Sequence, residues 1–491
     1  MAKTKDSKHK PLTYTIMGHE CEFMGNTLFY KEGDDIVEID PPTALGLSEW
    51  GDFSKTGFRL YKDGVAPEFA TPECRDARKL ITHIKAGERI LTKLCLSIKD
   101  PNKRPLLSTL SYNYPRETRG SHENYLVSRG IPIEKIIEYL TSFLVSRVPL
   151  VGPGGYIHDP GSGTRYVIDP RAHRINEEFS LSTLSNRAII NTRDETLGDS
   201  TKFRRLHLII SGCNMSEYSW YMRFGPTAII LKMLEHDHPL PMERIALASP
   251  VGALHAISSD LTCKSTVALA NEGHSTTAIQ IQREYYMAAQ NFFNAHSDIY
   301  TTRDINVMEW WKHFLDKLEK DPLLTKRHLD WTQKYALLDG YAKKNRSEKT
   351  LEEIKTNQKV FAIKYHLIQP FIDEHGNYSS CGPGETDSLY YHCISNKKHS
   401  MDRFIEDSEI EYALKNPPRD TRAYLRGKLI EYFSENKRPN DLLMVDWNYV
   451  KREDCRIDLD DPGETLPEGM DIKTYIEKNR TIIPTYPLQP I

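Results

Sequence analysis

This 491-residue chain lacks three things, and each absence narrows what it can be. No apolar run approaches the roughly 20 residues that a membrane-spanning helix needs. The basic start, "MAKTKDSKHKP", is followed by no apolar stretch of the signal-peptide kind. We therefore expect no membrane association, with residues 1–13 a flexible basic tail. Paired cysteines are missing as well. Cys21, Cys74, Cys95, Cys213, Cys263, Cys381, Cys393 and Cys455 include no CxxC and have no histidines at zinc spacing. Scattered thiols of this kind read as reduced, which points to a cytoplasmic location. The third absence is an excess of charge. A net charge of -3 excludes a surface built to coat nucleic acid, and the aromatic-basic stripe of an RNA binder is not there. Nor does the chain hold a GxSxG elbow, an HExxH helix, a GxGxxG fingerprint or the GK[ST] ending of a P-loop.

What is present begins with "TIMGHECEFMG", Thr15 to Gly25. From Tyr14 to about Glu73 short strand-like pieces are broken by Gly, Asp and Pro. In a strand, residues two apart share a face, so Glu20 and Glu22 stand about 7 Å apart and point into the same space. Carboxylates held that close repel unless a cation lies between them, and oxygen ligands suit Mg2+, usually shared with nucleotide phosphates. "RLYKDG" repeats the pattern with Tyr61 and Asp63, and Glu68 and Glu73 follow closely. Each pair alone reads more readily as a solvated strand face. Their recurrence favours a carboxylate-lined groove.

"GSHENYL" sets His122 and Asn124 on one side and Glu123 and Tyr125 on the other, so whichever face is buried must supply partners for polar groups. A histidine in such a place is more often a satisfied core residue than a ligand. "NRAIINTRDE" and "FRRLHLIIS" add Arg187, Arg193, Arg204, Arg205 and His207, with Leu206, Leu208 and Ile210 facing away from Arg205 and His207. That pattern describes a sheet with one buried and one working face. Arginine forks suit phosphate oxygens, and beside acidic metal ligands they would complete a Mg-ATP site; structural ion pairs are the alternative for each. Apolar stripes of 3.6-residue period predict helices through Ile133–Leu144 and through Met308, Trp311, Leu315 and Leu318. Gly- and Pro-rich text predicts loops at 151–163 and 373–387. At "NPPRDTRAYLRG" two prolines stop one helix and Asp420 or Thr421 can cap the next, marking a small C-terminal module.

In this order, "IMGHECEF", "FRLYKDGVAPEFATPEC", "KAGERIL", "GSHENYLVSR", "AIINTRDE", "FRRLHLIIS", "ALHAISSD", "LLDGY" and "NPPRDTRAYLRG" resemble the Pup ligase and Pup deamidase/depupylase family. The resemblance runs from about Tyr14 to Glu453. It implies a glutamine synthetase-like α+β fold: a curved, mostly antiparallel sheet cradle packed with helices over residues 14–415, plus a small C-terminal domain over 416–491. It also implies ATP and Mg2+ as cofactors, with Glu20, Glu22, Tyr61 and Glu68 as metal ligands and Asp63 as the catalytic aspartate. Arg193, Arg205 and His207 match segments that line the nucleotide. The implied partners are Pup or a Pup-like modifier and its lysine-linked conjugates, with a functional link to a bacterial proteasome.

Several stretches, among them "TPEC", "PVGALHAISSDLTCKSTVALANEG" and "NPPRDTRAYLRG", look closer to the deamidase/depupylase branch than to the ligases. The long insertion usual in that branch is absent, since Gly18 and Asp63 lie 45 positions apart (63 minus 18). Ala66 replaces a histidine usual in the family, Thr196, Leu197 and Gly198 replace Pro-His-Ala, and only Tyr112 and Asn113 remain of a Lys-Asn-Asn segment. Three readings follow from the resemblance. The favoured one is a depupylase-type isopeptidase, the second a Pup-type ligase that phosphorylates the modifier's C-terminal Glu, and the third a protein that binds ATP and modifier without catalysis.

Overall fold

The structure is a computed structural model describing residues 11–482 apart from 26–27, 33–34, 50, 101–102, 111, 114–116, 160, 162, 183–184, 369–387, 396–400, 437–441 and 453–454. Cys381, the expected loop at 373–387 and most of the expected basic tail lie outside the described residues.

Alternation builds the central layer. Strand β1 (Met17–Glu22) buries Met17, His19 and Cys21 and turns Gly18, Glu20 and Glu22 the other way. It is joined by β2 (Asp52–Phe53), β3 (Arg59–Asp63), β4 (Ala66–Ala70), β5 (Ser121–Ser128), β6 (Glu177–Ser180), β7 (Ala188–Asn191) and β8 (Phe203–Leu208). Their order is β6-β7-β8-β5-β1-β4-β3-β2, and every neighbouring pair is antiparallel except β6 with β7.

Helices cover one face of this sheet. α1 (Ala77–Ser97) lies against β1, α2 (Ile133–Ser146) against β7 and α3 (Glu217–Glu235) against β5. Ile136, Leu140, Phe143 and Leu144 of α2 are fully buried, as the stripe requires. Outside them, α4 (Ala278–Ala295) packs on α2 and α3, while α5 (Thr302–Lys320) turns Met308, Trp311, Leu315 and Leu318 inward against α3. Gly87 lets α1 settle onto the sheet, because a side chain there would overlap the ring of Phe69. Glu123 of β5 points into this helical layer, fully buried. It accepts from Arg223 Nε at 2.7 Å, Arg147 Nη1 at 3.1 Å and the Tyr125 hydroxyl at 2.8 Å. Burial alone would raise its pKa, but the two guanidiniums hold it below the ordinary value.

A second, smaller core lies C-terminal. α6 (Arg422–Glu435) packs on a four-stranded antiparallel sheet of β9 (Leu443–Asp446), β10 (Tyr449–Arg452), β11 (Cys455–Asp458) and β12 (Thr481–Ile482). Leu425, Leu429, Phe433, Val450 and Ile457 fill it. The residues expected to cap α6 are used differently: the Thr421 hydroxyl donates to the Glu73 carbonyl at 2.9 Å, and Asp420 pairs with Lys79 at 2.7 Å. Both tie the small unit to the large one. The structure is thus the expected α+β arrangement of a mostly antiparallel sheet packed with helices. Among the described residues no helix is long and apolar enough to cross a membrane.

Candidate active site

The face of the sheet opposite the helices gathers acids and histidines, and strand register assembles them. Glu20 lies opposite His122 across β1 and β5, Glu22 opposite Glu68 across β1 and β4, and Tyr61 opposite Glu68 across β3 and β4. On the other flank Asn124 of β5 lies opposite His207 of β8. Asp63 ends β3 at a two-residue turn whose Gly64 is left-handed (φ 56°), a conformation that favours glycine.

These pairings give two clusters. Ligand atoms of Glu20, His122 and His207 lie within 4.8 Å of one another, and so do those of Glu22, Asp63 and Glu68. His122 stands between them, its Nδ1 3.5 Å from Glu20 and its Nε2 3.7 Å from Glu22. Gly120 makes room for this: a side chain there would overlap both His122 Nε2 and Glu22 Oε1, and its N–H donates to Glu22 at 2.9 Å.

The electrostatics separate the acids. Burial would raise Glu20, but a hydrogen bond from His122 and the charge of Arg205 hold it well below the carboxylate range. Glu68 is pushed well above that range by burial and by its neighbours Glu20 and Glu22. Asp63 is also raised, by burial first and then by Glu22. The second cluster gathers three carboxylates, of which Glu68 is buried, and a divalent cation fits it by donor type. His207 is depressed well below its ordinary value, mainly by burial, and is therefore neutral. The Asn124 amide oxygen accepts from Arg205 at 2.9 Å and from His207 Nδ1 at 2.9 Å, which leaves the lone pair of His207 on Nε2.

Beside Glu20 an apolar pocket opens between the sheet and the C-terminal unit. Ile16, Thr71, Leu126 and Leu197 line it from one side and Trp447 and Pro462 from the other. Leu197 is held left-handed (φ 54°), its carbonyl accepting from Arg422 at 2.7 Å. Arg205 reaches from this pocket to Glu20 at 3.4 Å.

The family model described as Pup-ligase protein matches residues 26–451. The chain belongs to the Pup-ligase family. Two curated relatives show the likeness: the Pup deamidase/depupylase of Mycobacterium tuberculosis is 34% identical over 84% of this chain and 77% of its own length, and that of Mycolicibacterium smegmatis 33% identical over the same shares. Among solved structures, the complex of Pup with its ligase PafA aligns with a TM-score of 0.78 at 27% identity, covering 96% of this chain and 92% of that one. PafA in complex with ADP aligns at 0.73 and 26% identity, covering 91% and 96%.

For this Pup-ligase family chain, the structure gathers onto one face seven of the eight residues that the resemblance implies for the site. Arg193 is the exception: it is half exposed and paired with Glu195 at the rim. Tyr61 lies opposite Glu68 beside the second cluster, and burial first, then its neighbour Glu68, drives its pKa far up. Glu73, read from sequence as a further acid of the groove, is turned away. It accepts from Arg422 at 2.7 Å and Arg426 at 2.7 Å in the junction with the C-terminal unit. His122, read as a core residue, is instead central to the groove. Trp447 was not singled out at all, because nothing local marks a tryptophan some 430 residues from Glu20 as its neighbour.

Proposed function

We propose that this enzyme releases a Pup-type modifier from substrate lysines, cleaving the isopeptide bond at the modifier's C-terminal Glu side chain, and deamidates a C-terminal Gln by the same chemistry, with Mg-ATP as cofactor. The observation that carries this is the pair of ligand clusters on one sheet face with Asp63 at their edge. The names of the curated relatives support the hydrolytic direction. Glu20 with His122 and His207 would hold one cation; Glu22 and Glu68 would hold another, with Tyr61 beside Glu68. The pocket between Leu126 and Trp447 would take the nucleotide base, and Arg205 would steady its phosphates. When bound, the cation would supply the positive charge that polarises the scissile carbonyl.

The chain's own residues do the rest. Asp63 lies at a turn, partly open to solvent, where a substrate carbonyl can approach it, and its raised pKa makes it a stronger base than an ordinary aspartate. It acts as nucleophile on that carbonyl or as the base that activates water. Of the other carboxylates Glu68 is buried, while Glu20 and Glu22 are half-buried.

The ligase direction is the second reading, favoured by coverage: this chain spans 92% of the PafA chain in the Pup complex but 77% of the deamidases. The test is to incubate the protein with Mg-ATP and a Pup-lysine conjugate, with free Pup ending in Glu plus a target protein in parallel, following both by intact mass. Loss of conjugate without stoichiometric ADP supports deconjugation; new conjugate with matching ADP makes it a ligase. Silence in both would overturn either enzymatic reading. Asp63→Asn should lose at least 100-fold in rate in whichever reaction occurs, roughly the contribution of a positioned acid-base group, while still binding nucleotide.

A further inference from the structure

On the back of the groove strand sit two thiols that the proposed reaction does not use. Cys21 lies between Glu20 and Glu22 in β1 and, by alternation, points into the helical layer while they point into the groove. Its Sγ is 3.2 Å from Sγ of Cys213, with both residues buried. We propose that Cys21 and Cys213 form an oxidisable pair whose disulfide displaces β1 and so disturbs the cation site on its opposite face.

Both sides of the pair are held in place. Cys213 sits in a segment fixed on both flanks: the Gly212 carbonyl accepts from Arg223 at 2.7 Å, the Asn214 side chain donates to Val151 and Asp330, and the Met215 and Ser216 amides donate to Asp330. A disulfide has an S–S length of about 2.05 Å, so closure draws the sulfurs together by about 1.2 Å. β1 is held as well, paired with β5 and β4, so closure strains both sides, and on β1 the strain falls on Glu20 and Glu22, bonded on either side of Cys21. The pair is closed to bulky oxidants by its burial, so the oxidant is a small peroxide. One thiol reacts with hydrogen peroxide to give a sulfenic acid and water. The second sulfur then displaces the hydroxyl group, the S–S bond forms and a second water leaves. Two thiols are oxidised and one peroxide is reduced, and a dithiol reductant reverses the change.

The experiment treats the full chain with hydrogen peroxide, then alkylates it under denaturing conditions and maps peptides by mass. A crosslinked Cys21–Cys213 peptide, absent from Cys213→Ser and lost on reduction, is expected. Mn2+ affinity, read by electron paramagnetic resonance, should fall severalfold on oxidation and recover on reduction, while Cys213→Ser keeps its affinity through peroxide. Recovery of both thiols alkylated, their over-oxidation to sulfinic acids, or a disulfide joining other cysteines would overturn the pair. A crosslink with unchanged Mn2+ affinity and unchanged hydrogen exchange over residues 17–22 would overturn its coupling to the groove. If the reduced protein binds no Mn2+, the reading of the cation site fails, while mapping and hydrogen exchange still decide this one.

Discussion

At the scale of single residues, the groove depends on one glycine as much as on its acids. Gly120 touches no ligand through a side chain, yet a methyl there would overlap His122 and Glu22. Both obstructing atoms are the ends of flexible side chains, so Gly120→Ala should leave the thermal midpoint nearly unchanged while lowering turnover by at least tenfold. Equal losses of stability and turnover would refute this. The fully buried Glu123 makes the opposite prediction. Arg223→Met leaves an acid short of one partner inside the helical layer, and urea unfolding should report a loss of about 3–5 kcal/mol, the usual result of breaking a buried ion pair. A loss under 1 kcal/mol would mean that Arg147 alone suffices.

Among secondary-structure elements, α6 meets the large domain through Gly427, where a methyl would overlap the Lys55 carbonyl oxygen. Backbone cannot swing aside as a side chain does, so Gly427→Ala should destabilise the junction by about 1–3 kcal/mol, visible as an earlier proteolytic cut around residues 415–421. Much of this level was legible in the sequence. Period-two alternation put Glu20 with Glu22 and Arg205 with His207, and the 3.6-residue stripe found α2 and α5. Alternation could not say which face of β5 was buried, because both faces are polar: His122 and Asn124 on one, Glu123 on the other. Glu123 takes the buried side because Arg147 and Arg223 neutralise it, and those partners come from elements that β5 cannot announce. Glu73 escaped for a similar reason, since its two arginines lie about 350 residues downstream. Short-range pattern therefore gave the acids, and long-range pairing decided which of them line the groove.

For the whole molecule, that junction carries a pH dependence. Burial would raise Glu73, but Arg426 and Arg422 bring it from 4.5 down to about 2. A carboxylate lowered on folding stabilises fully above its unfolded value, and this is lost as pH falls from 4.5 toward 2. The gap in thermal midpoint between the natural protein and Glu73→Gln should therefore be widest near neutral pH and shrink through that window; a constant gap would assign the loss to packing. The Glu123 triad bears on another property, the order of manufacture. Synthesis delivers β5 first, then Arg147, and Arg223 only 100 residues after Glu123. Until α3 emerges from the ribosome, the middle of the sheet contains an acid with half its neutralising charge, so closure waits for distant contacts and is slow. A nascent chain stalled before α3 would display an uncovered sheet face to chaperones and proteases, and quality control would meet this enzyme as a sheet without its helix well before it could meet it as a catalyst.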